Sequence, residues 1–142
     1  MAKRNTYVEH LARVPMFSAC SKRELDLIAR RGTDLVFDPG AVVVREGSQG
    51  YEFFVIVDGK ATVSRGGRQV ATLGPGDFFG ELSLLERSPR NADVTADTRL
   101  ETVVVSSQEF RALLEDAPGL TYKLLAGMAR RLHDLDARAQ PV

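Results

Sequence analysis

The chain has 142 residues, 44% of them apolar, with 19 lysines and arginines balanced by 19 aspartates and glutamates. That length accommodates one compact domain with an ordinary core, 1–142, and leaves no room for a second. Zero net charge with both signs dispersed argues against counterion-release binding to nucleic acid or to an acidic membrane surface, and supports basic partners no better.

The start, MAKRNTYVEHLARV, lacks the uninterrupted apolar core of a signal peptide. No later apolar run approaches the ~20 residues needed to cross a bilayer, so no membrane association and a cytoplasmic location are expected. Within residues 1–32 two helical segments each open on a capping-box pattern, Thr6 with Glu9 and Ser21 with Glu24, in which a hydroxyl and a carboxylate satisfy orphan amides reciprocally. Leu25, Ile28 and Ala29 give the second an apolar face. Cys20, the sole cysteine, cannot form an intramolecular disulfide and lacks the companions of a zinc site, so its expected role is a small half-buried hydrophobe.

Over residues 33–106 the period becomes that of strands, in DLVFDPG, AVVVREG, YEFFVIVDGKATVSRGGRQVATLGPGDF and ADVTADTRLETVVVS. Asp58-Gly59 and Gly66-Gly67 read as tight hairpin turns, while Pro39-Gly40, Gly47, Gly50 and Pro75-Gly76 mark bends between runs. Short, numerous strands punctuated in this way close into an antiparallel β-roll, a jelly-roll-like barrel, so the expected fold is mainly β with flanking helices. Helical spacing returns in residues 107–142. Ser106 with Glu109 repeats the capping box, Phe110, Leu113 and Leu114 form an apolar stripe, and Pro118 sits near the start of a last helix. There Leu125, Met128, Leu132 and Leu135 recur at three- and four-residue steps, a seam suited either to packing on the roll or to pairing with a second copy as a homodimer. Arg130, Arg131 and Arg138 among Asp134 and Asp136 read as a solvated face, and only the ends MAKRN and ARAQPV are expected to fray.

One stretch, GDFFGELSLLERSPRNADV at 76–94, interrupts the roll with a short helix flanked by Glu81 and Arg90. Singly, each residue has an ordinary reading: Gly80 in a turn, Glu81 complementing a helix dipole, Arg90 as a solvated charge. Together they describe a cage. A glycine before a helical turn lets another group approach the backbone, and free amides at the start of that turn attract an anion. Arg90 closes the cage with a planar fork whose parallel donors suit a phosphodiester. Glu81 would repel that anion unless it accepts from a hydroxyl on the same ligand, as a ribose beside a phosphate provides.

These residues carry a resemblance. FGELSLL followed by PRNADV is similar to the phosphate-binding cassette of the cyclic nucleotide-binding domain family, here 79–94, and REGSQGYEFFVIVDGKATV and LGPGDFFGE match its surrounding glycine pattern. The resemblance covers nearly the whole chain. It implies that Glu81 takes the ribose 2′-hydroxyl, that Arg90 takes the cyclic phosphate, and that Gly80, Leu82, Asn91 and Ala92 line the pocket largely through backbone groups. Ser83 belongs to the same short helix and is expected to pack there rather than act as a nucleophile. Asn91 and Asp93 depart from the small or hydroxyl-bearing residues more usual in the family. Asn91 either donates to the phosphate or caps the turn; Asp93 either accepts from a purine amino group or faces solvent from a strand. The C-terminal helices, around Leu124 to Leu135, would cover the base as a lid. The implied ligand is cAMP, with cGMP open.

No cofactor or metal and no enzymatic activity are expected. His10 and His133 lie in opposite terminal regions, unlike the converging ligands of a metal-dependent cupin, and no nucleophile elbow or Walker loop is present. A DNA reader would need a recognition helix after the last helix, and the sequence ends at Val142, so direct DNA binding is not expected. The expectation is a stand-alone sensor that signals through its C-terminal helices to itself or to a protein partner. The alternative is a scaffold that has lost its nucleotide and acts through protein–protein interaction, against which stands the presence of both Glu81 and Arg90.

Overall fold

A computed structural model describes residues 2–139, with side chains over 6–137. Met1, residues 140–142 and the side chains of 2–5 and 138–139, Arg138 included, lie outside the description; of the two ends expected to fray, residues 2–5 and 137–139 are instead helical.

The strands are β1 (Thr33–Phe37), β2 (Val42–Val44), β3 (Glu52–Asp58), β4 (Ala61–Arg65), β5 (Arg68–Leu73), β6 (Phe78–Phe79), β7 (Asp93–Ala96) and β8 (Leu100–Ser106). They form two antiparallel four-stranded sheets, ordered β1-β8-β3-β6 and β2-β7-β4-β5, the roll expected from the strand pattern. The first sheet is covered on both faces, which is why β3 shows an unbroken buried run, Phe53 to Ile56, in place of alternation. Phe53 and Val55 join a core shared with the helices, including Phe17, Ile28 and Phe110. Ile56 turns the other way, into a smaller core between the sheets with Ala61, Val94, Ala96 and Leu100.

The helices are α1 (Ala2–Leu11), α2 (Lys22–Ala29), α3 (Ser107–Asp116) and α4 (Gly119–Ala139), with 3₁₀ turns at Pro15–Phe17 and Glu81–Leu84. Ser21 and Glu24 form the full reciprocal capping box and Leu25, Ile28 and Ala29 are buried. Thr6 does not cap. Helix α1 begins well before it, because Ala2, Lys3 and Arg4 are strong helix formers, so Thr6 falls in the helix interior. Ser106 does cap α3, accepting from the Glu109 amide at 3.1 Å, while the Glu109 carboxylate lies 3.5 Å from Arg31. Cys20 packs beside the larger core, and burial, with a smaller push from Glu24, raises its thiol to about 11.

Gly66-Gly67 closes the β4–β5 hairpin, with Arg65 opposite Arg68. Asp58-Gly59 is not a hairpin: β3 and β4 lie in different sheets, and the turn carries the chain across the roll. It packs beside the β7–β8 corner, where Lys60 and Thr98 exchange hydrogen bonds, the Lys60 amide donating to Thr98 Oγ1 at 3.0 Å. The same turn residues serve a hairpin and a corner, so sequence does not distinguish them.

Candidate functional site

Strand β6 delivers the chain to the site. Phe79 stacks on Phe54 of β3, ring centroids 4.7 Å apart. Gly80 then turns into the left-handed region, φ 80, and starts the 3₁₀ turn, whose first bond runs from the Ser83 amide to the Gly80 carbonyl at 3.0 Å. The amides of Glu81 and Leu82 precede that bond and have no partner within the turn.

Arg90 enters from the opposite side. Its backbone is held by the β2–β3 loop, its amide donating to the Ser48 carbonyl and its carbonyl accepting from the Gly47 amide, both at 2.7 Å. Its side chain is only 9% exposed and lies near Glu52 Oε1, with Nη2 at 3.8 Å. Nη1 donates to Ser83 Oγ at 3.1 Å and Nη2 to the Glu52 carbonyl at 2.9 Å. The guanidinium sits 5.8 Å from the Phe54 ring centroid, a cation–π arrangement. Burial lowers its pKa from the usual value and the Glu52 carboxylate opposes that shift. A guanidinium has five N–H donors, so donors remain beyond those given to Ser83 and Glu52.

Gly50 explains how so large a side chain fits: a Cβ there would lie 2.7 Å from Arg90 Nε and 2.9 Å from Ser83 Oγ. Arg90 and the 3₁₀ turn border a cavity of about 510 Å³, walled by Val44, Val63, Phe79 and Val94. That volume is within the ~300–1,000 Å³ usual for small-molecule sites.

Of the residues singled out from the sequence, Gly80, Glu81, Leu82, Ser83, Arg90, Asn91 and Ala92 all line this cavity. Asp93 is not among its lining residues. Its Oδ1 accepts from the Glu46 amide at 2.7 Å, a role neither of its two readings anticipated. The Asn91 carbonyl accepts from Arg65 Nε at 3.0 Å. Glu52 and Phe54 were not singled out and Gly50 was read only as a bend, because their tie to Arg90 is not local: Glu52 is 38 residues from it.

The lid expected from the resemblance is elsewhere. Among the described residues, none of α3 or α4 lines the cavity. Helix α4 packs instead on the Pro15–Phe17 turn, where a Cβ at Gly127 would collide with the Met16 carbonyl, and Lys123 lies 3.7 Å from Glu24. Among the described residues no group of metal-ligating side chains occurs, and no helix is long and apolar enough to cross a membrane.

Two antiparallel sheets and a short helical insertion that borders a cavity, flanked by N- and C-terminal helices, define a β-roll domain. The chain belongs to the cyclic nucleotide-binding domain family, whose model matches residues 34–117. It is 38% identical over 116 residues to the cAMP-dependent protein kinase regulatory subunit of Schizosaccharomyces pombe, covering 81% of this chain and 28% of that protein. It is 31% identical over 127 residues to the cyclic AMP receptor protein of Thermus thermophilus, covering 86% of this chain and 59% of that one. The chain thus spans little more than a quarter of the first relative and about three fifths of the second. The N-terminal domain of a transcriptional regulator from Streptomyces coelicolor A3(2) has the same fold, with a TM-score of 0.82 at 28% identity over 91% of this chain and 93% of that domain.

Proposed function

We propose that the chain is a non-catalytic cyclic nucleotide sensor that takes cAMP, with cGMP as the competing ligand. The observation that carries this is the Arg90 guanidinium, buried at the edge of the cavity that the 3₁₀ turn opening at Glu81 and Leu82 also lines. A cyclic phosphate there receives a charged fork from one side and backbone N–H groups from the other. Glu81, at the same rim, takes the ribose 2′-hydroxyl, which makes its negative charge compatible with the neighbouring phosphate. The purine lies against the apolar wall of Val44, Val63 and Val94. Asp93 is committed to the Glu46 amide and is not offered to the base. The choice of cAMP rests on the names of the kinase regulatory subunit and receptor protein relatives.

Calorimetric titration of the purified chain with cAMP and cGMP tests the reading; absence of binding to both, confirmed by a second assay, favours the scaffold alternative. Glu81→Gln addresses the ribose. The variant is expected to lose most of the discrimination between cAMP and 2′-deoxy-cAMP, on the order of tenfold for a charged hydrogen bond of roughly 1.5 kcal/mol. Unchanged discrimination in a competition assay removes the role given to Glu81.

Signalling requires that ligand favour one arrangement of the helices. Helix α4 already buries Leu120 and Leu124, yet leaves Leu125 and Leu132 each 65% exposed and Leu135 43% exposed. Leu125 with Leu132, and half-buried Met128 with Leu135, keep the seven-residue spacing of a coiled-coil seam, so a second copy is the proposed occupant. Sedimentation velocity at micromolar concentrations, with and without cAMP, is expected to show a dimer in at least one state that Leu132→Glu dissociates. A monomer in both states leaves α4 as an intramolecular element.

A further inference from the structure

Residues 90–93 are gripped from two directions. The β2–β3 loop holds Arg90 through Gly47 and Ser48 and takes Asp93 through the Glu46 amide. From the other side comes the β4–β5 hairpin, whose Arg65 donates to the Asn91 carbonyl. The two grips meet at Glu46, whose Oε1 accepts from the Gly66 amide at the hairpin tip at 2.9 Å. One residue therefore binds the cassette with its backbone and the hairpin with its side chain.

We infer that Glu46 is a positioning residue that docks the β4–β5 hairpin against residues 90–93 and so holds Arg90 in register with Ser83 and the cavity. The tip needs such a partner. Arg65 and Arg68 stand opposite each other there, a cross-strand like-charge pair that an anionic acceptor at Gly66 offsets. Nothing lies within 4 Å of a Cβ built at Gly66, so apolar packing at that point does not hold the tip. A carboxylate accepting from a backbone amide is stronger than a neutral pair. The β4–β7 ladder ends with Ser64 opposite Asp93; beyond it, without Glu46, the Arg65 contact to Asn91 is a tether on a long side chain whose ordering costs entropy. The consequence for nucleotide affinity rests on the sensor reading above; the consequence for the order of residues 90–93 does not.

The test combines two measurements on the full chain. Amide hydrogen exchange of the unliganded protein is followed by mass spectrometry in peptides covering 88–95 and β8. Calorimetric titration with cAMP is run on the same samples. Glu46→Ala is expected to speed exchange at Arg90 and to weaken cAMP binding, each about fivefold, as loss of one such bond implies. Exchange in β8 stays unchanged, because the opening is local. Glu46→Gln retains an acceptor oxygen for Gly66 and is expected to recover most of both effects. Arg65→Ala combined with Glu46→Ala is expected to do less than the sum of the two, since both brace the same tip.

Unchanged exchange over 88–95 in Glu46→Ala overturns the inference, as does equal acceleration in β8, which marks general destabilisation, or a Gln variant as damaged as the Ala. A wild-type chain that binds neither nucleotide overturns the sensor reading and the affinity consequence with it, while the exchange comparison still decides whether Glu46 holds the cassette.

Discussion

Arg90→Ala is expected to weaken cyclic nucleotide binding by about 2 to 5 kcal/mol, at least tenfold in affinity, because it leaves a phosphate charge unpaired in a largely buried site. Truncation acts in two ways. It removes the charged fork, and it strips partners from Ser83 Oγ and the Glu52 carbonyl, which Arg90 holds at 3.1 and 2.9 Å. Ser83 is 9% exposed, so water replaces the lost partner poorly and the unliganded protein is expected to lose about 1–3 kcal/mol of stability as well. Arg90→Lys separates the contributions. Lysine keeps the charge but has neither the planar fork nor the reach to serve Ser83, Glu52 and a phosphate together, so it is expected to recover only part of the affinity. Calorimetric titration read beside urea denaturation checks both effects. Binding within twofold of wild type in the alanine variant removes Arg90 from the site.

Gly80→Ala is expected to be the most damaging single-methyl change in the cassette. At φ 80 an alanine is strained by about 1–2 kcal/mol before any contact is considered. Its Cβ would also collide with Arg90 Nη1, the donor to Ser83 Oγ, and come within 2.6 Å of the Glu52 carbonyl, which accepts from Arg90 Nη2. Backbone at Glu52 is anchored in β3 and yields little, so the displacement falls on Arg90 and the expected loss of cAMP affinity is at least tenfold, about 1.4 kcal/mol or more. Gly40 supplies the control, with a similar φ of 88 and no heavy atom within 4 Å of its Cβ. Gly40→Ala is expected to show the backbone strain in denaturation without a change in nucleotide affinity. Equal affinity in the two alanine variants would mean that the approach of Gly80 to Arg90 has no bearing on binding.

The sequence by itself determined those features whose causes lie within a few residues or within a regular period. The Ser21 and Glu24 box is read locally because hydroxyl, carboxylate and amides all fall in one helical turn. The strand runs are legible from composition, and the one-turn insertion at Glu81–Leu84 from its departure out of strand pattern between glycine and proline. Local reading also misled where one signal has two outcomes. Thr6 has the spacing of a cap, but favourable helix formers upstream extend α1 past it, and Asp58-Gly59 suits a hairpin and a corner equally.

What only the tertiary structure decided is the set of partners. Glu52 reaches Arg90 across 38 residues, and Asp93 meets Glu46 across 47, because the roll brings the β2–β3 loop beside the end of the cassette. The seat of α4 was likewise beyond reach of periodicity. Leu120 and Leu124 are buried while Leu125 and Leu132, on the same helix and equally apolar, stay exposed. Periodicity states that a helix has an apolar face, but which stripe is covered depends on close approach, here the absence of a side chain at Gly127 against the Met16 carbonyl. That contact is a matter of shape between distant segments, which one-dimensional pattern does not encode.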